Sequence, residues 1–451
     1  MKSKTAREVA LDCLNSVFQD GAYANLVLPK LLSESRLDSR DTGFAQELAF
    51  GTIRWKLTYD RLLEEVSSRP IESIDLVLLN CLRLGAHQLL NTRVPAHAAI
   101  SETVNLVRQH CGEKVVGFAN GILRSISRNS ISDWLETVTK NSSEIESFSL
   151  RYSHPEWIVL ALKQSLAVDG LEGDLEDLLA LNNASPKVNM VALPGLADRN
   201  EIAEASRFDS FSPFGFSLDS GNPAEMEDVR TGLVRVQDEG SQLAALALTS
   251  FRDPKPGEQW LDMCAGPGGK AALLASIAAM NEITLTANEL QPHRVRLVSN
   301  ALSPFQSNLQ ITEGDGRLIG EHQPNKYDRI LIDAPCSGLG ALRRRPESRW
   351  SKSAQDLKSL TQLQQELLAS GLQALKPGGL LLYATCSPHL SETTAVVEKV
   401  LKGGGVSVLN LTQSMNNQFM QERLPKNRKT VQLHTQRDGT DSMFLALLTK
   451  D

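Results

Sequence analysis

Trp260-Leu261-Asp262-Met263-Cys264-Ala265-Gly266-Pro267-Gly268-Gly269-Lys270-Ala271-Ala272 is the stretch whose reading decides the fold. Trp260, Leu261 and Met263 read as a buried strand that ends in a tight glycine turn, and an alanine-rich helix is expected over residues 270–280. A strand that turns on glycines into a helix aims backbone N–H groups at whatever lies beyond the strand end. Gly266, Gly268 and Gly269 let a ligand approach the backbone without a Cβ in the way, and Pro267 stiffens the turn. The spacing is not the Gly-x-Gly-x-x-Gly of dinucleotide sites. Nor is it a phosphate loop, because Ala271 follows Lys270 where Ser or Thr would be needed. From these residues alone, a packing turn in an α/β sheet is an open alternative.

The chain that follows alternates regularly. Strands are expected over 283–287, 309–312, 327–332 and 379–385, with helices over 292–302, 354–375 and 391–401 between or after them. Residues 431–436 and 443–448 flank a turn at 437–442 and read as a hairpin. The pattern is that of a doubly wound sheet with an antiparallel edge. Ligands of such sheets bind beyond the carboxyl ends of the strands. Those ends here carry Asp262, Glu289, Asp315, Asp333 with Cys336, and Cys386. One acidic strand end is commonly a helix cap, whereas a row of them lines a site. Glu289, at the second strand end, suits a ribose with two free hydroxyls. Both NAD and S-adenosylmethionine carry one, and the glycine spacing and two late cysteines favour the latter. Asp315 then suits the adenine amino group.

Length and composition set the frame. At 451 residues with 41% apolar content, the chain has the size of several domains and enough apolar surface to bury real cores. No apolar run approaches the ~20 residues of a membrane span, and residues 1–20 lack a signal-peptide core, so a cytoplasmic protein without a membrane partner is expected. The six cysteines form no zinc-ligand pattern, and no metal site is expected. The net charge of −6 is unevenly spread, since residues 131–235 hold 8 basic against 18 acidic side chains. Basic patches elsewhere are therefore compatible with a nucleic-acid partner. Residues 1–130 carry helical periodicity throughout. Residues 131–145 read as a linker or frayed helix end, 145–235 as a small α/β module, and 236–451 as the sheet domain.

Several words then carry a resemblance. Gly21-Ala22-Tyr23-Ala24-Asn25, Glu47-Leu48-Ala49-Phe50-Gly51-Thr52, Leu82-Arg83-Leu84-Gly85-Ala86 and Gly117-Phe118-Ala119-Asn120-Gly121 resemble NusB and, more, the NusB-like domain fused to certain rRNA methyltransferases. This implies an all-α, RNA-binding N-terminal domain. Asp333-Ala334-Pro335-Cys336-Ser337-Gly338 and Ala384-Thr385-Cys386-Ser387-Pro388, together with the glycine stretch, resemble the RNA cytosine-C5 methyltransferases of the Sun/Fmu/NOL type. The combination resembles the bacterial enzymes of this family that act on small-subunit rRNA, and implies a Rossmann-like, S-adenosylmethionine-dependent domain over 236–451. By matching words, Cys386 corresponds to the family's nucleophile, Cys336 to the cysteine that helps release product, and Asp333 to the group at the base edge. Cys264, Ala265, Gly266, Pro267, Gly268, Gly269 and Lys270, with Glu289, Asp315 and Asp333, correspond to cofactor contacts.

The sequence departs from the commonest motif at Gly266 (often Ala), at Ala271 (often Ser or Thr) and at Thr393, where Asn often follows the glutamate. The chemistry fits the residue types, because a thiolate added at carbon 6 makes carbon 5 of cytosine nucleophilic and later leaves again. Arg343, Arg344, Arg345, Arg349 and Trp350 follow the Cys336 loop and read as phosphate and base contacts to unstacked RNA. The expected partner is small-subunit rRNA and the expected state a monomer. The alternatives are a tRNA methyltransferase, a catalytically silent assembly factor and, by fold alone, an NAD-dependent oxidoreductase.

Overall fold

The computed structural model describes residues 4–205, 210–219, 221–305 and 308–451, so part of the module expected over 145–235 lies outside the described residues. The chain divides into two compact units whose borders differ from those expected. The first runs to Lys163 and adds Glu172–Ser185 and Leu342–Lys352; the second holds Gln164–Leu171, Pro186–Ala341 and Ser353–Asp451.

The first unit is helical. Ala6–Asp20, Ser39–Arg54 and Leu76–Asn91 bury apolar stripes that include Leu11, Leu14, Leu48, Ile53 and Leu82. Thr5 and Glu8 form a capping box at the first helix, and the Asp75 carboxylate accepts from Val77 and Leu78 N–H at the third. Each satisfies N–H groups that a helix start leaves unpaired. The stretch 131–145 is not a linker. It holds the end-capped helix Ile131–Thr139, and the next helix, Glu144–Tyr152, starts within it. The serines and charges that read as linker are caps: Ser130 pairs reciprocally with Asp133, and Ser143 accepts from Glu146 N–H.

The insertion Leu342–Lys352 explains its own place in this unit. Arg349 is 1% exposed. Its guanidinium donates to the Arg54 carbonyl (3.1 Å), the Ser153 carbonyl (3.0 Å), the Asn182 carbonyl (2.8 Å) and Asn183 Oδ1 (2.7 Å). These acceptors sit at the C-terminal ends of the helices Ser39–Arg54, Glu144–Tyr152 and Leu175–Asn183. Helix ends leave carbonyls unpaired and carry partial negative charge. One buried cation therefore serves three helix ends through neutral oxygens. Trp350 Nε1 likewise donates to the Ile53 carbonyl at 2.8 Å, and Lys56 Nζ lies 5.1 Å from its ring. Arg349 and Trp350 are thus corrected from RNA contacts to packing residues. Arg343 is also buried, and Arg345 is the exposed arginine of the run.

The second unit contains two sheets among the described residues. The smaller is antiparallel, with β1 (Val188–Ala192) between β2 (Gly215–Leu218) and β3 (Val234–Val236). The larger has the path β10-β11-β8-β7-β4-β5-β6, with β9 on β11. Its strands are β4 (Gln259–Asp262), β5 (Thr284–Glu289), β6 (Leu309–Glu313), β7 (Tyr327–Asp333), β8 (Leu375–Thr385), β9 (Val406–Val408), β10 (Val431–Gln432) and β11 (Phe444–Lys450). β4 to β8 pair in parallel, and β9, β10 and β8 pair with β11 antiparallel. This is the Rossmann-like sheet with an antiparallel edge. Both faces are covered: Leu380, Leu382 and Ala384 of β8 enter one core, and Leu381 and Tyr383 enter the other. A strand buried on both sides reads as a continuous apolar run, as this one does.

Replacing Arg349 with Ala should lower the stability of the helical unit by about 2–4 kcal/mol, because buried carbonyls lose their donor. Arg345→Ala should change it by less than about 0.5 kcal/mol. Urea unfolding followed through Trp134 and Trp350 fluorescence separates the two, and equal midpoints would contradict this placement.

Candidate active site

The carboxyl ends of β4, β5, β7 and β8 bring the strand-end residues together. After Asp262 the chain turns through the glycine stretch, with a cis bond at Gly266–Pro267, into the helix Gly269–Met280. Glu289 holds this turn. Its Oε2 accepts from Gly266 N–H at 3.0 Å and its Oε1 from Gln291 N–H at 2.9 Å. Arg294 lies 3.6 Å from the same carboxylate and also donates to the Gly266 carbonyl. A Cβ at position 266 would stand 2.3 Å from Glu289 Oε2. Glycine at 266 thus leaves room for the Glu289 and Arg294 side chains where they stand.

Asp262 is 1% exposed, and among the described residues neither carboxylate oxygen finds a hydrogen-bond partner of normal geometry. Burial first, and then the charge of Asp333, push its pKa up to about 8 against the opposing pull of Lys270. Lys270, in the first turn of the helix, donates to Asp333 Oδ2 at 2.8 Å. Burial alone would lower the Lys270 pKa, but Asp333, with Cys386 and Asp262, raises it. Asp315 behaves differently. It caps its own turn and is held by Arg317 at 2.6 Å, which keeps its pKa low. Cys264 is a thiol whose pKa is raised by burial and then by the surrounding carboxylates.

Beyond β7 and β8 the two late cysteines meet, with Cys336 Sγ 3.4 Å from Cys386 Sγ. The interaction with Cys386 first, then burial, raises the Cys336 pKa well above the ordinary thiol value. The loop between them packs closely: Gly340 N–H donates to the Cys386 carbonyl at 2.9 Å, and its own carbonyl accepts from Ser442 N–H at 2.9 Å. A Cβ at 340 would lie 1.9 Å from the Ser442 carbonyl. Sequence reasoning missed Gly340 and Arg294, and it noted Glu392 only as the glutamate before Thr393, with no role assigned.

The geometry agrees with the comparisons to known proteins. Residues 249–449 match the model for the 16S rRNA methyltransferase RsmB/F, and residues 4–128 match the NusB family. The chain is 33% identical to ribosomal RNA small subunit methyltransferase B of Pseudomonas putida, over 98% of both chains. The chain belongs to the RsmB/F family. It is 40% identical to the Mycobacterium tuberculosis protein Rv1407, whose name gives only the class methyltransferase, over 99% of this chain and 96% of that one. The solved structure of PH0851 superposes with a TM-score of 0.80 over 100% of both chains at 19% identity, a likeness of fold. As a member of the RsmB/F family the chain is an S-adenosylmethionine-dependent RNA methyltransferase. No helix among the described residues is long and apolar enough to cross a membrane.

The residues present fit that cofactor. The buried carboxylate of Asp262 keeps acceptor capacity for an ammonium group. Glu289 keeps spare lone pairs for hydroxyls, and the Gly269–Met280 helix directs its N–H groups there. The raised Asp262 pKa also fixes a sign for stability. A carboxylic acid with a higher pKa when folded binds more protons folded, so stability falls as pH rises from about 4 to about 8. Asp262→Asn should flatten that fall relative to the natural protein when melting temperature is followed across this range. Parallel curves would show that Asp262 does not titrate there.

Proposed function

We propose that this chain methylates carbon 5 of a cytosine in small-subunit rRNA through a covalent cysteine adduct, acting as a cytoplasmic monomer. The observation that carries the reading is the 3.4 Å approach of Cys336 and Cys386 beside the Lys270–Asp333 pair. Two thiols that close can address one base, and the raised pKa of Cys336 keeps its proton there.

Cys386 is the nucleophile. Its sulfur bonds to carbon 6 of the base, and the electron pair of the 5,6 double bond moves toward carbon 5 and the ring nitrogen. Lys270 favours the thiolate, since its charge interacts with that of Cys386. Asp333, oriented by Lys270, serves the base edge as proton or hydrogen-bond partner. Bound S-adenosylmethionine supplies an electrophilic methyl group to carbon 5. The proton at carbon 5 then passes to water acting as base, its electron pair re-forms the 5,6 double bond, and the carbon–sulfur bond breaks to return Cys386 as thiolate; Cys336 assists this release. Asp262, Glu289 and the backbone of residues 264–270 hold the cofactor, with Asp315 at the adenine. The target base must be unstacked to reach both cysteines. Arg344 and Arg345 supply phosphate contacts, and the helical unit supplies further RNA affinity.

Cys336→Ala should leave attack and methyl transfer intact and slow release. Protein joined to methylated RNA should then accumulate, survive SDS and collapse on nuclease treatment. Cys386→Ala and the double variant should form no such species and no product by bisulfite sequencing. Adduct in Cys386→Ala with none in Cys336→Ala would exchange the roles.

A further inference from the structure

Glu392 is fully buried and makes no ion pair among the described residues. A carboxylate removed from water is costly unless hydrogen bonds replace the lost solvation. Four donors do so here. Oε1 accepts from Ser337 N–H (2.8 Å) and Gln364 Nε2 (3.1 Å), and Oε2 accepts from Ser337 Oγ (2.5 Å) and Ser387 Oγ (2.6 Å).

The identity of the donors matters. Ser337 directly follows Cys336, and Ser387 directly follows Cys386. The two hydroxyls also lie 3.1 Å apart, so the carboxylate closes a ring across the two loops. Gln364, from the helix Asp356–Ala374, donates as well to the Pro335 carbonyl at 2.9 Å, on the other side of Cys336. Glu392 is itself fixed, since the Tyr383 hydroxyl donates to its carbonyl at 2.8 Å. Tyr383 lies three residues before Cys386 on β8. Each cysteine is thus held through the residue after it and through a second point in its strand or loop.

We propose that Glu392 is a positioning residue that sets the spacing of Cys336 and Cys386. Being fully buried behind the two serines, it does not touch the base. It acts by preventing the cysteine loops from separating, so that the thiol needed for release stays beside the one that attacks. Misplacement of about 1 Å at a reacting centre can cost a hundredfold in rate, and a loop held by one hydrogen bond fewer has that freedom. The division of labour between the cysteines rests on the reading above; the spacing itself does not.

The test uses the full chain without RNA. A short bifunctional thiol reagent links Cys336 to Cys386, and peptide mass spectrometry measures the rate of that link alone. Glu392→Ala should slow it about tenfold or more, with S-adenosylmethionine affinity retained. Glu392→Gln should restore the rate to within about threefold. Its carbonyl oxygen can keep the Ser337 N–H and Gln364 bonds, while its amide donates to serine hydroxyls that turn to accept. An undiminished rate in Glu392→Ala would overturn the proposal. So would a Glu392→Gln rate as low as that of Glu392→Ala, since the charge rather than the hydrogen-bonded ring would then be the requirement. If Glu392→Ala fails to fold, Ser387→Ala decides: a slower link supports the ring, and an unchanged one refutes it. With RNA, Glu392→Ala should slow adduct release more than it alters KM. Normal linking in the natural protein with adduct in no variant would instead count against the covalent mechanism and leave the spacing role standing.

Discussion

The parallel pairing of β7 with β8 aligns Asp333 with Ala384. Everything at the site depends on that register. From it, Cys386 emerges one residue beyond the end of β8 and Cys336 three residues beyond the end of β7. Side chains alternate faces along a strand, so a slip of one residue would exchange the inward and outward sets and part the thiols. The register is secured from both faces, because each strand sends alternate apolar residues into each of two cores. β4 pairs on the other side of β7, with Asp262 opposite Leu331. The glycine turn therefore opens beside the cysteines, and Lys270 reaches Asp333 across the gap.

Much of this sheet was legible in the sequence because its signals are local and strong. Apolar runs over 330–332 and 380–384, each followed by a polar residue, mark strands buried on both faces. The strand-end acids and cysteines could be placed at one rim because doubly wound sheets bind ligands there. The short strands β2, β3 and β9 were not legible, since three or four residues carry too little periodicity. The helix Ile131–Thr139 was missed because it buries few side chains and its capping residues look like linker composition.

Arg349 and Trp350 were misread for a deeper reason. An arginine that bonds the ends of three helices and an arginine that meets a phosphate have the same local sequence. Only the convergence of Arg54, Ser153 and Asn182 carbonyls on Arg349 distinguishes them, and those residues are far apart in the chain. The role of Glu392 was hidden similarly. Its partners Ser337, Gln364 and Ser387 come from three separate segments, and an acid after a helix-forming serine ordinarily reads as a cap.

The central claim is that Cys386 attacks the base. RNA carrying 5-fluorocytosine at the target position tests it most directly, since fluorine at carbon 5 cannot leave as a proton does and the adduct is held. Peptide mapping of the natural protein after reaction with such RNA and S-adenosylmethionine should place the methylated nucleotide on the peptide containing Cys386, with Cys336 unmodified. Nucleotide on Cys336, or no adduct while ordinary RNA is still methylated, would contradict the account.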